Sequence, residues 1–279
     1  MEAYYRHSLT PPQQAAYHAM KTGFTALAPR FPVPLLDRET LSDLFFLLRL
    51  DCPEIFYVTG FSYRYAPGAE NAELLPEYLF DKGKIRQHQQ ALSARVEKLV
   101  RPLRQRTPLE QERAIHDFIC ENVCYDKLKK PYSHEIIGPL GQGVGVCEGI
   151  AKSVKILCDA LGLWCIIAVS ENNPAQGVKY RHAWNIVRLD GQYYHLDATF
   201  DATLSQPGIV RHDYFNLDDR ALFRDHQPPS IPCPPAPMEP GPSTGRKSAP
   251  SPKLRTCASG PRCPCARISP SSSSGGAAL

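Results

Sequence analysis

GVGVCEGIAKSVKILCDALG, residues 143–162 of this 279-residue chain, has the apolar spacing of a helix that begins beside a thiol. Its apolar residues recur three and four positions apart, the period of one helix face. They are Ile150, Ala151, Val154, Leu157, Cys158 and Leu161. Gly162 stands where a left-handed C-terminal cap is expected. Cys147 therefore lies in the first turn, where free N–H groups and the helix dipole favour a thiolate. A plain core cysteine on the apolar stripe is the alternative.

RHAWNIVRLDGQYYHLDATF, residues 181–200, follows that helix and predicts a β-hairpin. Two runs rich in β-branched and aromatic residues flank Asp190-Gly191, a strong two-residue turn signal. If this dipeptide is the turn, Leu189 pairs with Gln192 and the register of the whole hairpin follows.

The predicted register brings a histidine and a carboxylate together. His182 and Asp197 point to the same face of the sheet as diagonal neighbours, within side-chain reach. A thiol, an imidazole and a carboxylate in that chain order are the components of a cysteine-nucleophile acyl-transfer site, with Cys147 as the nucleophile. The alternative is a surface histidine beside a strand-end aspartate.

The segments GVCEGIA, RHAWNIV and YYHLDATFD resemble the core of the transglutaminase-like superfamily, a branch of the papain-like cysteine enzymes. The order Cys, His, Asp matches, and so do the small residues after the cysteine. The upstream stretch EQERAIHDFICENVCYD resembles the helix that precedes the nucleophile helix in bacterial members. The resemblance covers residues 107–217 well and residues 1–106 loosely. It implies a nucleophile helix packed on an antiparallel sheet that carries the histidine and the aspartate.

The local signals agree with an α+β fold in which helices precede a meandering sheet. Thr107-Pro108-Leu109-Glu110 is a capping box that opens a helix ending near Asn122. The apolar run 161–170 predicts a buried strand directly after the nucleophile helix.

We expect three parts in the chain. Residues 1–106 form an N-terminal, mostly helical extension, with helices over 13–27, 38–51 and 84–103 and a strand within 54–66. Residues 107–226 form the transglutaminase-like catalytic core.

Residues 227–279 are predicted to be a disordered Pro/Ser-rich tail. Thirteen of the 27 prolines lie there and no aromatic residue does, so the segment cannot bury enough apolar surface to fold. The abrupt change after His226 also raises the hypothesis of a frame-shifted C-terminus.

Two further residues are candidates for the site. Gln142, five residues before Cys147, is a candidate side-chain donor for an oxyanion, although a polar loop residue is equally expected there. Trp184 shares the face of His182 and would line the site and shield an ion pair, or simply fill the core.

Composition excludes several function classes. The tail carries six Lys/Arg and one acid, so residues 1–226 hold 26 basic and 27 acidic groups and present no phosphate-binding face. No apolar run reaches the length of a membrane span, and MEAYYRHSLTPP lacks a secretion-signal pattern. We therefore expect a cytoplasmic protein with most of its ten cysteines as thiols, no nucleic-acid partner and no membrane association.

The resemblance implies no cofactor. Cys257, Cys263 and Cys265 lack the spacing and the histidine of a zinc knuckle, so no metal site is predicted.

Two function classes follow from these patterns. The first is a cysteine acyltransferase or peptidase that acts on protein or peptide amide bonds through a Cys147–His182–Asp197 triad and a thioester. The second is a non-catalytic transglutaminase-like binding or structural module, or an inactive product of a truncated gene. The sequence leaves cross-linking, deamidation and proteolysis open, together with the oligomeric state.

Overall fold

The computed structural model describes residues 3–178 and 180–237 of the chain. The helices in these ranges are α1 (Pro11–Thr25), α2 (Arg38–Asp51), α3 (Lys82–Val100), α4 (Pro108–Asn122), α5 (Cys147–Leu161), α6 (Ala198–Leu204) and α7 (Asp219–Leu222). The strands are β1 (Phe31–Pro34), β2 (Val58–Arg64), β3 (Asn71–Tyr78), β4 (Cys124–Tyr125), β5 (Val144–Gly145), β6 (Cys165–Ser170), β7 (His182–Leu189) and β8 (Gln192–Leu196). Within the described ranges, no helix combines the length and apolar character that a bilayer crossing needs.

The described strands form two antiparallel sheets and one short parallel pair. The order is β1-β3-β2 in the first sheet and β6-β7-β8 in the second, while β4 pairs with β5 in parallel. Helices packed beside antiparallel sheets confirm the α+β class.

The hairpin β7–β8 has the predicted register. Leu189 pairs with Gln192, and Asn185 pairs with Leu196. Asp190 and Gly191 both have positive φ, 49° and 82°, which is the backbone of a tight hairpin turn. One feature differs from a plain hairpin, because β8 ends at Leu196 and the next residues enter α6.

The helix boundaries follow the capping signals. Thr107 and Glu110 form a reciprocal capping box, and α4 ends at Asn122 as predicted. Gly162 caps α5 with φ 78°, the left-handed conformation that glycine adopts at no steric cost. The predicted strand 161–170 is shorter than expected and begins only at Cys165, because the cap occupies its first residues; every residue of β6 is buried.

The predicted helices of the first hundred residues are confirmed as α1, α2 and α3. The sheet they accompany was only partly expected, since β2 was predicted and its partners were not. The strand β1 contains Pro32 and Pro34 and lies at the edge of its sheet. Proline has no N–H to donate to a neighbouring strand, so it argues against a strand in the sequence, but it is tolerated at a sheet edge.

One core cluster joins the N-terminal segment to the nucleophile helix. Leu44 and Leu48 of α2 belong to the same buried cluster as Val154 and Leu157 of α5. The N-terminal residues thus support α5 directly. The division of the chain into three parts stays a prediction.

The predicted tail lies largely outside the described residues, which end at 237; Cys257, Cys263 and Cys265 are beyond that point. Residues 227–237 have no regular secondary structure and lie against the core. The Ser230 N–H donates to the carbonyl of Val169 at 2.8 Å, and the Ala236 N–H donates to Asp219 at 3.2 Å.

Candidate active site

Cys147 is the first residue of α5 and is half-buried. Val146 before it is extended, and its N–H donates to the carbonyl of Ser133 at 3.0 Å, which holds the approach to the helix. Gly149 faces the same carbonyl so closely that a Cβ atom would collide with the Ser133 backbone. The predicted position of the thiol in the first turn is therefore confirmed, and that turn has N–H groups without acceptors inside the helix.

His182 and Asp197 meet, as the hairpin register predicts. Nε2 of His182 lies 2.6 Å from Oδ2 of Asp197. The other oxygen, Oδ1, accepts the N–H groups of Thr199 at 2.9 Å and Phe200 at 3.1 Å, because Asp197 is the N-cap of α6. The carboxylate is fully buried, whereas the His182 side chain keeps 19 % of its exposure. One oxygen fixes the carboxylate to the backbone, and the other orients the imidazole.

Electrostatic interactions favour the charged form of both partners. Burial alone would lower the pKa of His182, but the charge and hydrogen bond of Asp197, together with a side-chain hydrogen bond to Cys147, raise this pKa to about 10. Burial alone would raise the pKa of Asp197, but the neighbouring His182 and His226 hold it well below its usual range. The thiol, the imidazole and the carboxylate thus form one interacting group.

A second histidine, which we did not predict from the sequence, contacts the same carboxylate. Nε2 of His226 lies 2.9 Å from Oδ2 of Asp197, and its Nδ1 lies 2.7 Å from Asp225. The ring is buried among aromatic side chains that include Phe200, at 4.5 Å between ring centroids. No local pattern signals this contact, because it depends on how the segment after α6 returns to the sheet.

Trp184 lies beside His182 with the ring planes at 17° and the centroids 5.9 Å apart. Its indole N–H donates to Nδ1 of His195 at 3.0 Å, and Nε2 of His195 lies 2.8 Å from Asp219. Trp184 is buried, so it fills the core and also covers one face of the catalytic imidazole candidate. Its burial agrees with a core residue, and a role in lining the site stays a prediction.

Gln142 lies at the end of a π-helical turn, Ile137–Gln142, and is exposed. Tyr125, at the end of β4, approaches the site from another direction. Burial first, and then the negative charges of Cys147 and Asp197, raise the pKa of the Tyr125 hydroxyl to about 12. This phenol is thus a second donor candidate that the sequence did not single out.

A buried ionic cluster supports the first turn of α5. Nζ of Lys152, which is completely buried, lies 2.8 Å from Glu135 and 2.7 Å from Glu148. Arg49 of α2 forms an ion pair with Glu135 and lies 3.7 Å from Glu148. Because Glu148 directly follows Cys147, these pairs fix the first turn of α5 and link it to the N-terminal segment.

Two groups of side chains in the described ranges have the donor atoms and spacing to hold a metal ion. They are His182, Asp197 and His226 in this site, and His116, Asp117 and His212 between α4 and the segment after α6. The three residues of the first group are already paired with one another around Asp197 Oδ2.

Residues 97–198 match the family model of the transglutaminase-like superfamily. The match includes Cys147, His182 and Asp197 and ends before His226. The superfamily expected from the sequence motifs is thereby confirmed for this part of the chain.

Curated relatives include the kyphoscoliosis peptidases of mouse and human. The mouse protein is 26 % identical over 169 residues, which cover 54 % of this chain and 26 % of the relative. The human protein is 26 % identical over 168 residues, covering 53 % of this chain and 25 % of the relative. The chain therefore spans about a quarter of the length of these relatives.

Solved structures with similar folds include a TGase and the periplasmic domain of TgpA from Pseudomonas aeruginosa bound to ethylmercury. The TGase is 14 % identical with a TM-score of 0.35, over 61 % of this chain and 50 % of the TGase chain. The TgpA domain is 18 % identical with a TM-score of 0.31, over 49 % of this chain and 59 % of the domain.

Proposed function

Because residues 97–198 carry a transglutaminase-like domain, we propose that the chain is a cysteine-nucleophile enzyme that acts on amide bonds of proteins or peptides. The observation that carries the proposal is the convergence of the Cys147 thiol, the His182 imidazole and the buried Asp197 carboxylate. The names of the mouse and human relatives add support, since both are peptidases.

The proposed reaction begins with a thiolate. His182 holds the proton as an imidazolium, and its Nε2–H donates to Asp197, which leaves Nδ1 for the thiol. The Cys147 sulfur attacks the carbonyl carbon of the amide, and the oxyanion is stabilised by N–H groups of the first turn of α5 together with one side-chain donor. His182 then protonates the leaving amine as the C–N bond breaks, and a thioester remains on Cys147.

The second half of the reaction depends on the acceptor. His182, now neutral, takes a proton from water or from a primary amine while that nucleophile attacks the thioester carbonyl. The C–S bond then breaks, and Cys147 leaves as a thiolate beside the imidazolium. Water gives hydrolysis, which is proteolysis or deamidation according to the amide attacked. An amine gives transamidation, which is cross-linking when the amine belongs to a lysine. Asp197 keeps the imidazole oriented in both halves.

Labelling Cys147 with iodoacetamide across pH 4–9 tests the first step. We expect rapid labelling far below the ordinary thiol pKa of about 8.5, and its loss in His182→Ala. Cys233→Ala, which removes another partly exposed thiol, is the matched control and should leave the Cys147 profile unchanged. A Cys147 profile of an ordinary thiol in both wild type and His182→Ala would instead favour a non-catalytic binding module.

Trapping the thioester tests the reaction itself. The full chain is mixed with a glutamine-containing peptide library and read by intact-mass spectrometry, with and without a biotinylated primary amine. A peptide adduct on Cys147 that is absent in Cys147→Ala would support acyl transfer. Biotin incorporation, a deamidated peptide or a cleaved peptide would identify the acceptor and the amide bond that is attacked. The absence of any adduct and of any product would contradict the proposal.

A further inference from the structure

Three side chains that the proposed reaction does not use converge between α4 and the segment after α6. Nδ1 of His116 lies 3.0 Å from Oδ1 of Asp117, and Nε2 of His212 lies 2.7 Å from the same oxygen. The two imidazole rings are 4.9 Å apart and inclined by 32°. Two ring nitrogens thus meet at one carboxylate oxygen, and the three atoms lie within 4.8 Å of one another.

A buried carboxylate orients the first of these ligands. Nε2 of His116 lies 3.0 Å from Oδ2 of Asp201, and both side chains are completely buried. Asp201 is itself fixed, because its oxygens accept the N–H groups of Asp213 at 2.9 Å and Tyr214 at 3.1 and 3.2 Å. A histidine that donates one ring N–H to a carboxylate and presents the other nitrogen is the usual arrangement of a metal-ligating histidine.

We propose that His116, Asp117 and His212 form a binding site for a divalent transition-metal ion, with Zn²⁺ the ion that the donor set fits best. Two imidazole nitrogens and one carboxylate oxygen are a typical zinc set that leaves a fourth position for water. The site is distinct from the Cys147 centre and does not depend on the proposed enzyme activity.

The spacing of the donor atoms is close to what a zinc ion needs. Ligand atoms about 2.1 Å from a tetrahedral ion lie roughly 3.4 Å from one another, so the present contacts of 2.7 and 3.0 Å must open by less than 1 Å. Asp117 and His212 keep 32 % and 21 % of their side-chain exposure, which leaves both side chains room to adjust. They also give the ion access from solvent, while His116 remains fixed at the base.

Charge favours the occupied site. Asp117 and Asp201 both face His116, and Asp117 also lies 2.7 Å from His212. A bound Zn²⁺ would take the place of any proton on Nδ1 of His116, which leaves to solvent, and would add positive charge beside these carboxylates. The hydrogen bond from Nε2 to Asp201 is kept.

Occupancy would stabilise the part of the fold that carries the catalytic carboxylate. The ion would connect α4, through His116 and Asp117, to the chain at His212. Asp201, which holds His116, lies in α6, the helix that Asp197 caps. A ligand that binds only the folded state raises its stability, so we expect zinc to raise the melting temperature.

The test is a Zn²⁺ titration of the metal-stripped full chain after its accessible thiols have been alkylated. Wild type is compared with His212→Ala and Asp117→Asn, which alter partly exposed side chains, and with His18→Ala, which removes an exposed histidine from α1. We expect one tight site in wild type and in His18→Ala, weakened at least tenfold in the other two variants. Far-UV circular dichroism verifies that all four proteins are folded.

Two further readouts separate this site from binding elsewhere. Co²⁺ should give a visible d–d spectrum without a thiolate charge-transfer band, and this spectrum should be lost in His212→Ala. Zinc should raise the melting temperature of wild type and His18→Ala and leave that of His212→Ala unchanged. Equal affinity in wild type and His212→Ala, or no zinc binding to wild type, would overturn the proposal.

Discussion

Nε2 of His226 lies 2.9 Å from Oδ2 of Asp197, the same oxygen that Nε2 of His182 approaches to 2.6 Å. One buried carboxylate oxygen therefore contacts two imidazoles, one partly exposed to solvent and one enclosed by aromatic rings. The second contact restricts the same carboxylate oxygen further, and the two imidazole rings lie 5.3 Å apart. We interpret His226 as a positioning residue that acts through Asp197.

Replacing His226 should reduce turnover more than substrate binding. We expect His226→Ala to lower kcat by about tenfold, with KM little changed, because the orienting carboxylate loses one of its buried donors. His226→Gln, whose amide N–H can still donate to Asp197, should recover part of the lost kcat. Equal kcat in His226→Ala and wild type, with both folded, would show that the contact is only structural.

The sequence predicts much of this arrangement because its signals are local. The Asp190-Gly191 turn sets the register that joins His182 to Asp197, and capping residues set the ends of α4 and α5. His226 could not be predicted in this way. It lies 29 positions after Asp197, and its contact depends on the path of the chain through α7, which no periodicity or turn signal determines.

Other contacts that the sequence did not predict also depend on the tertiary structure. Tyr125 approaches the thiol because β4 pairs in parallel with β5, a two-residue ladder too short to leave a strand pattern. The cluster of His116, Asp117 and His212 joins positions 95 apart along the chain. Such contacts arise from the packing of elements that are distant in the sequence, and the spacing of residues along the chain does not predict them.

The oxyanion donor can be identified by a paired comparison of Tyr125→Phe and Gln142→Ala. Removing a true oxyanion donor costs about 10²–10³ in kcat. Both residues are exposed, but the hydroxyl of Tyr125 is close enough to Cys147 and Asp197 for their charges to raise its pKa. We therefore expect the large loss in Tyr125→Phe and a change of less than threefold in Gln142→Ala, measured as steady-state kcat at neutral pH. The opposite order would return the role to Gln142.

The pH dependence of stability should report the His182 pair. Burial lowers the His182 pKa, but Asp197 and Cys147 raise it from 6.5 to about 10. A raised folded-state pKa means that the stabilisation is fully present below pH 6.5 and is lost as the pH rises through about 10. We expect the melting temperature of wild type to fall over this window and the fall to be smaller in His182→Gln. An equal fall of the melting temperature in wild type and His182→Gln would show that other groups cause the pH dependence.

The pH profile of activity should decline in the same alkaline range as the stability. In the proposed reaction the His182 imidazolium protonates the leaving amine, so kcat/KM should decline only as the pH approaches 10. Asp197→Asn removes the largest influence that raises the His182 pKa, and we expect it to move the alkaline limb to lower pH as well as to lower kcat. If the alkaline limb of the profile did not shift in Asp197→Asn, that limb would report the titration of a group other than His182.

Glu112 and Asn216 form a buried pair that should make the stability of the fold fall as the pH rises from 4.5 to about 8. Oε2 of Glu112 accepts the Asn216 amide N–H at 3.0 Å, while Oε1 and the Asn216 carbonyl oxygen are both buried and have no hydrogen-bond partner among the described residues. Burial raises the pKa of Glu112 to about 8, and a proton on Oε1 would let this group donate. The folded state then binds more protons than the unfolded state between pH 4.5 and 8, so stability falls as the pH rises through that window.

Glu112→Gln should remove this dependence, because an amide N–H takes the place of the carboxylic O–H and cannot ionise. We expect the melting temperature of Glu112→Gln to match wild type near pH 5 and to exceed it at pH 9. Glu121→Gln, an exposed change in the same helix, is the control and should leave the curve unaltered. If Glu112→Gln were less stable than wild type at pH 9, the carboxylate would be the form that the fold prefers, and the burial of Glu112 Oε1 beside the Asn216 carbonyl oxygen would require another explanation.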